Sequence, residues 1–333
     1  MRWRVAFVAF VCLSLLWARA ALPQSNLLGG GVFGDVKVAG SSYTGPLDIN
    51  TTNVVASWGL RCPKATYSGN LFLVTDSATG NTTASLAQCS GGTVSFSGGT
   101  ACSGPGVPAN TCSPLATTCV TACNLYELFD TSAQTNCTTA CNAIQATNAN
   151  RPTFTQSGCP GLSGGAHTWC ATGSGAALTT MNTPVFSPGT SAQPFTSYCV
   201  AYWPSAGAAG SNQGCISQDS TWIQFLTSSA GNWAVYAGTQ VNTTGSAFGT
   251  WYAWQALFNA GSSTMYINGS QTALATPGTG GITNGKAFFL MQDGFGDNSH
   301  VVFLEGGVWS TDKSANYSSL NSNIRGTANG WGF

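Results

Sequence analysis

From residue 197 onward, apolar and polar positions alternate in short runs bounded by Gly, Ser, Asn or Pro. Segments 197–203, 221–226, 232–238, 250–259, 263–268, 286–293 and 301–309 each read as a strand. Asn259-Ala260-Gly261-Ser262 predicts the turn that joins two of them. Upstream, segments 70–76 and 125–130 carry the same signal. Asn50-Thr51-Thr52 predicts a cap for a short helix through Val54, Val55, Trp58 and Leu60. Ser310 predicts a cap for a last short helix through Leu320, with Asp312 in its first turn. Segments 80–122 and 131–196 are rich in Gly, Ser, Thr, Pro and Cys and read as long loops. No solenoid or propeller period recurs. Many short strands predict an all-β sandwich or jelly roll with disulfide-rich loops and a short C-terminal helix.

The start of the chain has a different pattern. Arg2 and Arg4 precede an apolar run to Trp17, and Ala18-Arg19-Ala20 closes it. That is the form of a signal peptide over residues 1–20, too short for the ~20 apolar residues that span a bilayer. The expectation is a secreted protein, extracellular or periplasmic, with no membrane attachment after cleavage. Residues 21–46 read as a Gly-rich leader and 47–333 as one domain, because strands continue across Cys215 where cysteine use ends. The chain has 13 cysteines, of which Cys12 lies in the leader. An exported chain with an even remainder is expected to form disulfides. Cys119 with Cys123 and Cys137 with Cys141 are the short-loop candidates; the full connectivity stays open. No C-x-x-C occurs and the histidines are only His167 and His300, so no metal site is expected.

Charged residues make up 6% of the chain and the formal net charge is zero. Charge-driven disorder and a phosphate-neutralising nucleic-acid surface are both excluded. No Gly-rich phosphate loop with its Lys is present, and no cofactor is expected. Neither histidine sits in a nucleophile-elbow context for a Ser-His-Asp triad. Six sequons, at Asn50, Asn81, Asn136, Asn242, Asn268 and Asn316, would be glycan acceptors in a eukaryotic secretory pathway.

Sugar chemistry remains, because it needs few charges: two carboxyl groups about the bond and aromatic faces for the rings. The chain has ten acidic residues. The richest polar cluster is 291–300, with Asp293, Gly296, Asp297, Asn298 and His300 between two strands, a place where loops carry binding or catalysis and where turn formers also collect. Trp169, Trp203, Trp222, Trp251 and Trp254 are candidate stacking or core residues.

Residues 288–310, FFLMQDGFGDNSHVVFLEGGVWS, resemble the end of the catalytic domain of the arabinofuranosidase B family. Two earlier stretches, 56–71 (with Tyr67-Ser68-Gly69) and 125–132 (LYELFDTS), are similar to that family in the same order, and 251–269 is similar to laminin-G-like jelly rolls. The resemblance implies a concanavalin A-like β-sandwich that removes terminal α-L-arabinofuranose with retention. It implies Asp297 as acid/base, within a Gly-Asp-Asn-Ser loop, and a Glu nucleophile at the position that Ile223 occupies. No Glu lies between 128 and 304, and the family's vicinal Cys-Cys pair is absent, with Cys215 standing alone. Asp219 is the candidate displaced carboxylate, although it also reads as a turn residue. Gly296, Asn298, Trp222 and Asp293 are candidate substrate-binding residues. Glu305 alternates with Phe303 and Gly307 on one strand face and reads as a structural partner. Two functions stay open: a glycoside hydrolase acting on arabinofuranosides or related furanosides, and a non-catalytic, lectin-like carbohydrate-binding module. The expected partner in either case is a plant or microbial polysaccharide or glycan.

Overall fold

The computed structural model describes residues 43–77, 84–97, 101–104, 107–111, 123–156, 158–162, 167–173, 181–205, 212–227, 231–243, 248–296 and 299–333. The expected signal peptide and most of the Gly-rich leader lie outside them. The described chain is an all-β sandwich, built from one antiparallel ladder of 19 strands that folds over itself.

One layer runs from Thr264–Ile267 through Trp251–Phe258 and Phe195–Tyr202 to Val302–Trp309, which also pairs with Val54–Gly59. The other runs from Gln240–Thr243 through Trp233–Tyr236, Trp222–Leu226 and Gln213–Gln218 to Ala287–Leu290 and Met181–Val185. It continues through Ala143–Ile144 to Cys123–Leu128, Ser68–Asp76, Ala84–Ser90 and Thr93–Ser97. Three kinds of contact hold the layers face to face. The Cys199–Cys215 disulfide joins a strand of each. Gln224 accepts from Ser197 Oγ at 2.8 Å and donates to the Trp254 carbonyl at 3.0 Å. Trp222 packs against Phe195 and Phe258, with ring centroids 5.2 and 5.7 Å apart.

Alternation then decides which residues face away from the sandwich. In Trp222–Leu226, Trp222, Gln224 and Leu226 point inward, so Ile223 and Phe225 point to the opposite face. Cross-strand partners share a face, and the register gives one continuous row there: Glu127, Ile144, Asn182, Phe289, Ser217, Ile223, Tyr236 and Gln240.

Three expectations are corrected. Val54–Gly59 is a strand, not a helix: Val55 and Trp58 are buried, one on each face, beside Val302–Trp309, and that ladder overrides the helical spacing. The short helix lies just before it, Pro46–Ile49, and Asn50 closes that helix instead of opening one. The C-terminal helix is Tyr317–Arg325, entered through a 3-10 turn whose Ser314 N–H is held by Asp312 at 2.7 Å, while the Ser310 N–H bonds the Asn53 carbonyl. Segments 80–122 and 131–196 contain strands where loops were expected, the second among them Cys170–Thr172 and Met181–Val185. Ala84–Ser90 and Thr93–Ser97 form a hairpin whose turn, Gly91-Gly92, has φ of +59° and +84°, a conformation that favours glycine.

Cys62–Cys89, Cys137–Cys141 and Cys159–Cys170 are bridged as well. Cys123 is disulfide-bonded too, and its proposed partner Cys119 lies outside the described residues. Among the described residues no group of His, Cys, Asp and Glu could hold a metal ion.

The sequons divide by the state of their amides. Asn136, Asn268 and Asn316 donate through Nδ2 to Val55 O, Trp251 O and Asn50 Oδ1, and Asn50 is buried. Asn242 is exposed on the edge strand Gln240–Thr243, with only its oxygen engaged, by Gln240. Asn81 lies outside the described residues. Of the other five, in protein expressed through a eukaryotic secretory pathway, Asn242 is expected to carry a glycan and Asn50, Asn136, Asn268 and Asn316 none. Peptide mapping after enzymatic deglycosylation checks this, since each released site gains the mass of Asn-to-Asp conversion.

Candidate functional site

The 291–296 segment lies against the strand Gln213–Gln218. The Met291 N–H bonds the Cys215 carbonyl at 2.9 Å, and Ser217 Oγ donates to the Gln292 carbonyl at 3.2 Å. The approach is close enough to require glycine at 214, where a Cβ would stand 2.1 Å from the Gln292 carbonyl carbon. Asp293 is buried, and its Oδ1 accepts the Phe295 N–H at 2.9 Å, so this carboxylate shapes the turn. Gly296, with φ of +99°, is exposed and has open space at its Cβ position. Asp297 and Asn298 lie outside the described residues. Phe295, the tip of the turn, is 58% exposed and meets the half-buried Tyr236 edge to face at 5.7 Å.

Ile223 is 1% exposed, in an apolar cluster with Phe225, Ala234 and Tyr236. Asp219 sits in the turn between Gln213–Gln218 and Trp222–Leu226, where its Oδ2 pairs with Lys286 Nζ at 2.9 Å and both side chains are 39% exposed. Gly294 brings the 291–296 turn beside it: a Cβ there would stand 3.1 Å from Ser220 N. Trp222 is fully buried in the sandwich interior and turned away from this face, so it offers no surface to a ligand. Trp169, Trp203, Trp251 and Trp254 are also buried. The rings that do reach the surface here, Phe295 and Tyr236, were not singled out in the sequence. The available signal was an aromatic residue between two glycines in a polar loop.

A second group of carboxyls lies at the far end of the same row. Glu127 accepts from Asn142 Nδ2 at 2.7 Å, and burial, opposed by that bond, pushes its pKa up to about 7. Burial likewise raises Asp130 to about 6, against bonds from the Ser57 and Ser132 N–H groups and Ser132 Oγ. Four strand spacings of about 4.8 Å, roughly 19 Å, separate Glu127 from Ser217, whose Oγ meets the Gln292 carbonyl.

Both carboxyls hold their protons more tightly folded than unfolded. Their contribution is full below the unfolded values of 4.5 and 3.8, and is lost as pH rises through about 7 for Glu127 and about 6 for Asp130. Glu127→Gln is expected to flatten the fall of the melting temperature between pH 5 and 7.5 and to stabilise the protein at the upper end, by up to about 3 kcal/mol. Thermal unfolding across that range, with parallel wild-type and variant curves as the contrary result, checks it.

No protein-family model and no curated protein matches the chain. Solved structures match its fold. An arabinofuranosidase complexed with arabinofuranosyl-α-1,2-xylobiose has a TM-score of 0.58 at 14% identity over 86% of this chain. A GH54 α-L-arabinofuranosidase soaked with a cyclic sulfate inhibitor gives 0.57 at 15% identity, again over 86%. A mutant GH54 enzyme soaked with 4-nitrophenyl α-L-arabinofuranoside gives 0.58 at 15%, with the same coverage. Each match covers 65% of the solved chain, so this protein spans about that share of their length. The likeness is one of fold: an all-β sandwich shared with those solved structures.

Proposed function

We propose that this is an exported glycan-binding protein that keeps an arabinofuranosidase-like scaffold without the retaining chemistry. Its ligand is a terminal arabinofuranoside or related furanoside of a plant or microbial glycan, held at the face that carries Ile223 and the 291–300 loop. The observation that carries this reading is Ile223, sealed in an apolar cluster at the position where the resemblance puts the nucleophile. A retaining pair needs two carboxyl groups about 5–5.5 Å apart, and an isoleucine forms no glycosyl ester. Asp297 and Asn298 are assigned to sugar hydroxyls, Gly296 to close approach of the ring, and Phe295 to its apolar face.

A second reading is inverting hydrolysis with Asp219 and Asp297 on opposite sides of the bond. It is favoured by the contact of Gly294 with the turn that holds Asp219, and it requires Asp219 to leave Lys286. Calorimetric titration with methyl α-L-arabinofuranoside tests the main reading. Asp297→Asn is expected to weaken binding tenfold or more, the size of a lost charged hydrogen bond, at an unchanged melting temperature. Wild-type protein that ignores the probe at millimolar concentration overturns the assignment.

A further inference from the structure

We propose that Lys313, Thr52 and Asn50 form an oxyanion-binding site, which takes the carboxylate of an acidic sugar or a free inorganic oxyanion. It lies on the layer opposite the one that carries Ile223. The Lys313 N–H bonds Thr196 Oγ1 at 3.0 Å, at the start of Phe195–Tyr202, whereas Ile223 belongs to Trp222–Leu226. The inference therefore stands apart from the furanoside reading.

Lys313 is 9% exposed, and among the described residues no carboxylate pairs with it. Buried charges are ordinarily paired, because an ammonium out of water and without a counter-charge is costly. The adjacent Asp312 is exposed, and its Oδ1 is turned to the Ser314 N–H at 2.7 Å. The Lys313 amine makes one hydrogen bond to the protein, to Thr52 Oγ1 at 3.1 Å. Two ammonium protons are left without an acceptor among the described residues. Burial lowers the Lys313 pKa, and no neighbouring charge opposes it.

The groups around the amine lack the same partner. Asn50 is buried; its Oδ1 accepts Asn316 Nδ2 at 2.8 Å, and its own Nδ2 has no acceptor. Thr52, exposed and two residues further on, accepts from Lys313 and donates its own hydroxyl proton to no described group. Asn316 ties the cluster together, because its N–H bonds the Lys313 carbonyl at 2.9 Å. The turn Ser314–Asn316 leads from Lys313 into the helix Tyr317–Arg325, whose first turn has no acidic residue. The dipole of that helix favours a negative charge at this end and disfavours the lysine. Every unmet group is thus a hydrogen-bond donor or a positive charge. The complement is a group with acceptors only and a negative charge: a carboxylate, sulfate or phosphate. A neutral sugar hydroxyl brings no counter-charge.

The test follows the melting temperature in galacturonate, sulfate and phosphate, each against sodium chloride at matched ionic strength, because excluded anions also stabilise without binding. Wild type is expected to rise along a saturating curve. Lys313→Met is expected to melt above wild type in chloride, since an uncompensated buried cation is gone, and to lose the saturating rise. Thr52→Val, at an exposed position, is expected to weaken anion binding about tenfold, the size of one charge-assisted hydrogen bond. Reductive methylation reads the amine itself. In wild type a saturating anion is expected to slow labelling of Lys313 about tenfold, one pKa unit of added hold on the charged form, and to leave Lys64 unchanged. Galacturonate binding tighter than both inorganic anions supports the site with an acidic sugar as its ligand; tighter sulfate or phosphate supports it with a free anion. A rise that Lys313→Met retains, or Lys313 labelling that none of the three anions slows, overturns the site.

Discussion

Glu305→Ala is expected to destabilise the protein by about 3–5 kcal/mol, the cost of leaving a buried charge without its partner. Arg61 and Glu305 meet through two bonds, Nε to Oε2 at 2.8 Å and Nη2 to Oε1 at 2.9 Å, with side chains 0% and 2% exposed. Burial works against the guanidinium charge, but Glu305, together with Tyr43 and Tyr198, more than offsets it and Arg61 stays protonated. Two further donors of Arg61 are taken by the Asn329 carbonyl and Asn323 Oδ1. Removing the carboxylate therefore strands a cation that cannot move to water. Glu305→Gln keeps one acceptor and should cost less. Denaturant unfolding of both variants measures this, and a loss below about 1 kcal/mol in the alanine variant would contradict the account. The pair also occupies Glu305 fully, which removes it from the carboxylates available for catalysis.

Wild-type protein incubated with 4-nitrophenyl α-L-arabinofuranoside is expected to turn over at least about 10⁴-fold more slowly than an arabinofuranosidase with both carboxylates, the scale on which a missing nucleophile registers. Any residual rate should invert the anomeric centre and vanish in Asp219→Ala. Ile223→Glu is expected to lose stability before it gains rate, because its buried apolar neighbours Phe225 and Ala234 offer a new carboxylate no hydrogen bonds. Rapid turnover with retained configuration, insensitive to Asp219→Ala, would place the nucleophile elsewhere and sink the reading.

Where strands alternate or carry large apolar residues, the sequence was legible. Trp251–Phe258, Phe195–Tyr202 and Val302–Trp309 lie within a few residues of their expected bounds, and the Ala260–Ser262 turn lies within the expected quartet. Ala84–Ser90 was hidden because Ala, Ser, Gln and Cys give little contrast between its faces. Val54–Gly59 was misread because five of its six residues are buried and alternation disappears. The inward face of Trp222 is a matter of parity along a strand, which shifts with a one-residue error in register. The contact of Lys313 with Thr52 joins positions 261 apart, and no local pattern announces that meeting.

The described bridges close loops of 27, 4, 11 and 16 residues. None ties the first strands to the last. That closure is left to Val54–Gly59 and Val302–Trp309, where Trp58 pairs with Gly306 and Arg61 reaches Glu305 across 244 positions. Such a contact order makes folding slow and late. During synthesis at roughly 5–20 residues per second, Val54–Gly59 must wait on the order of ten to fifty seconds for its partner strand, an apolar edge that a binding chaperone would have to cover. Oxidation can staple each loop of the nascent chain early, yet no described bridge can hold the fold together before its final strand arrives.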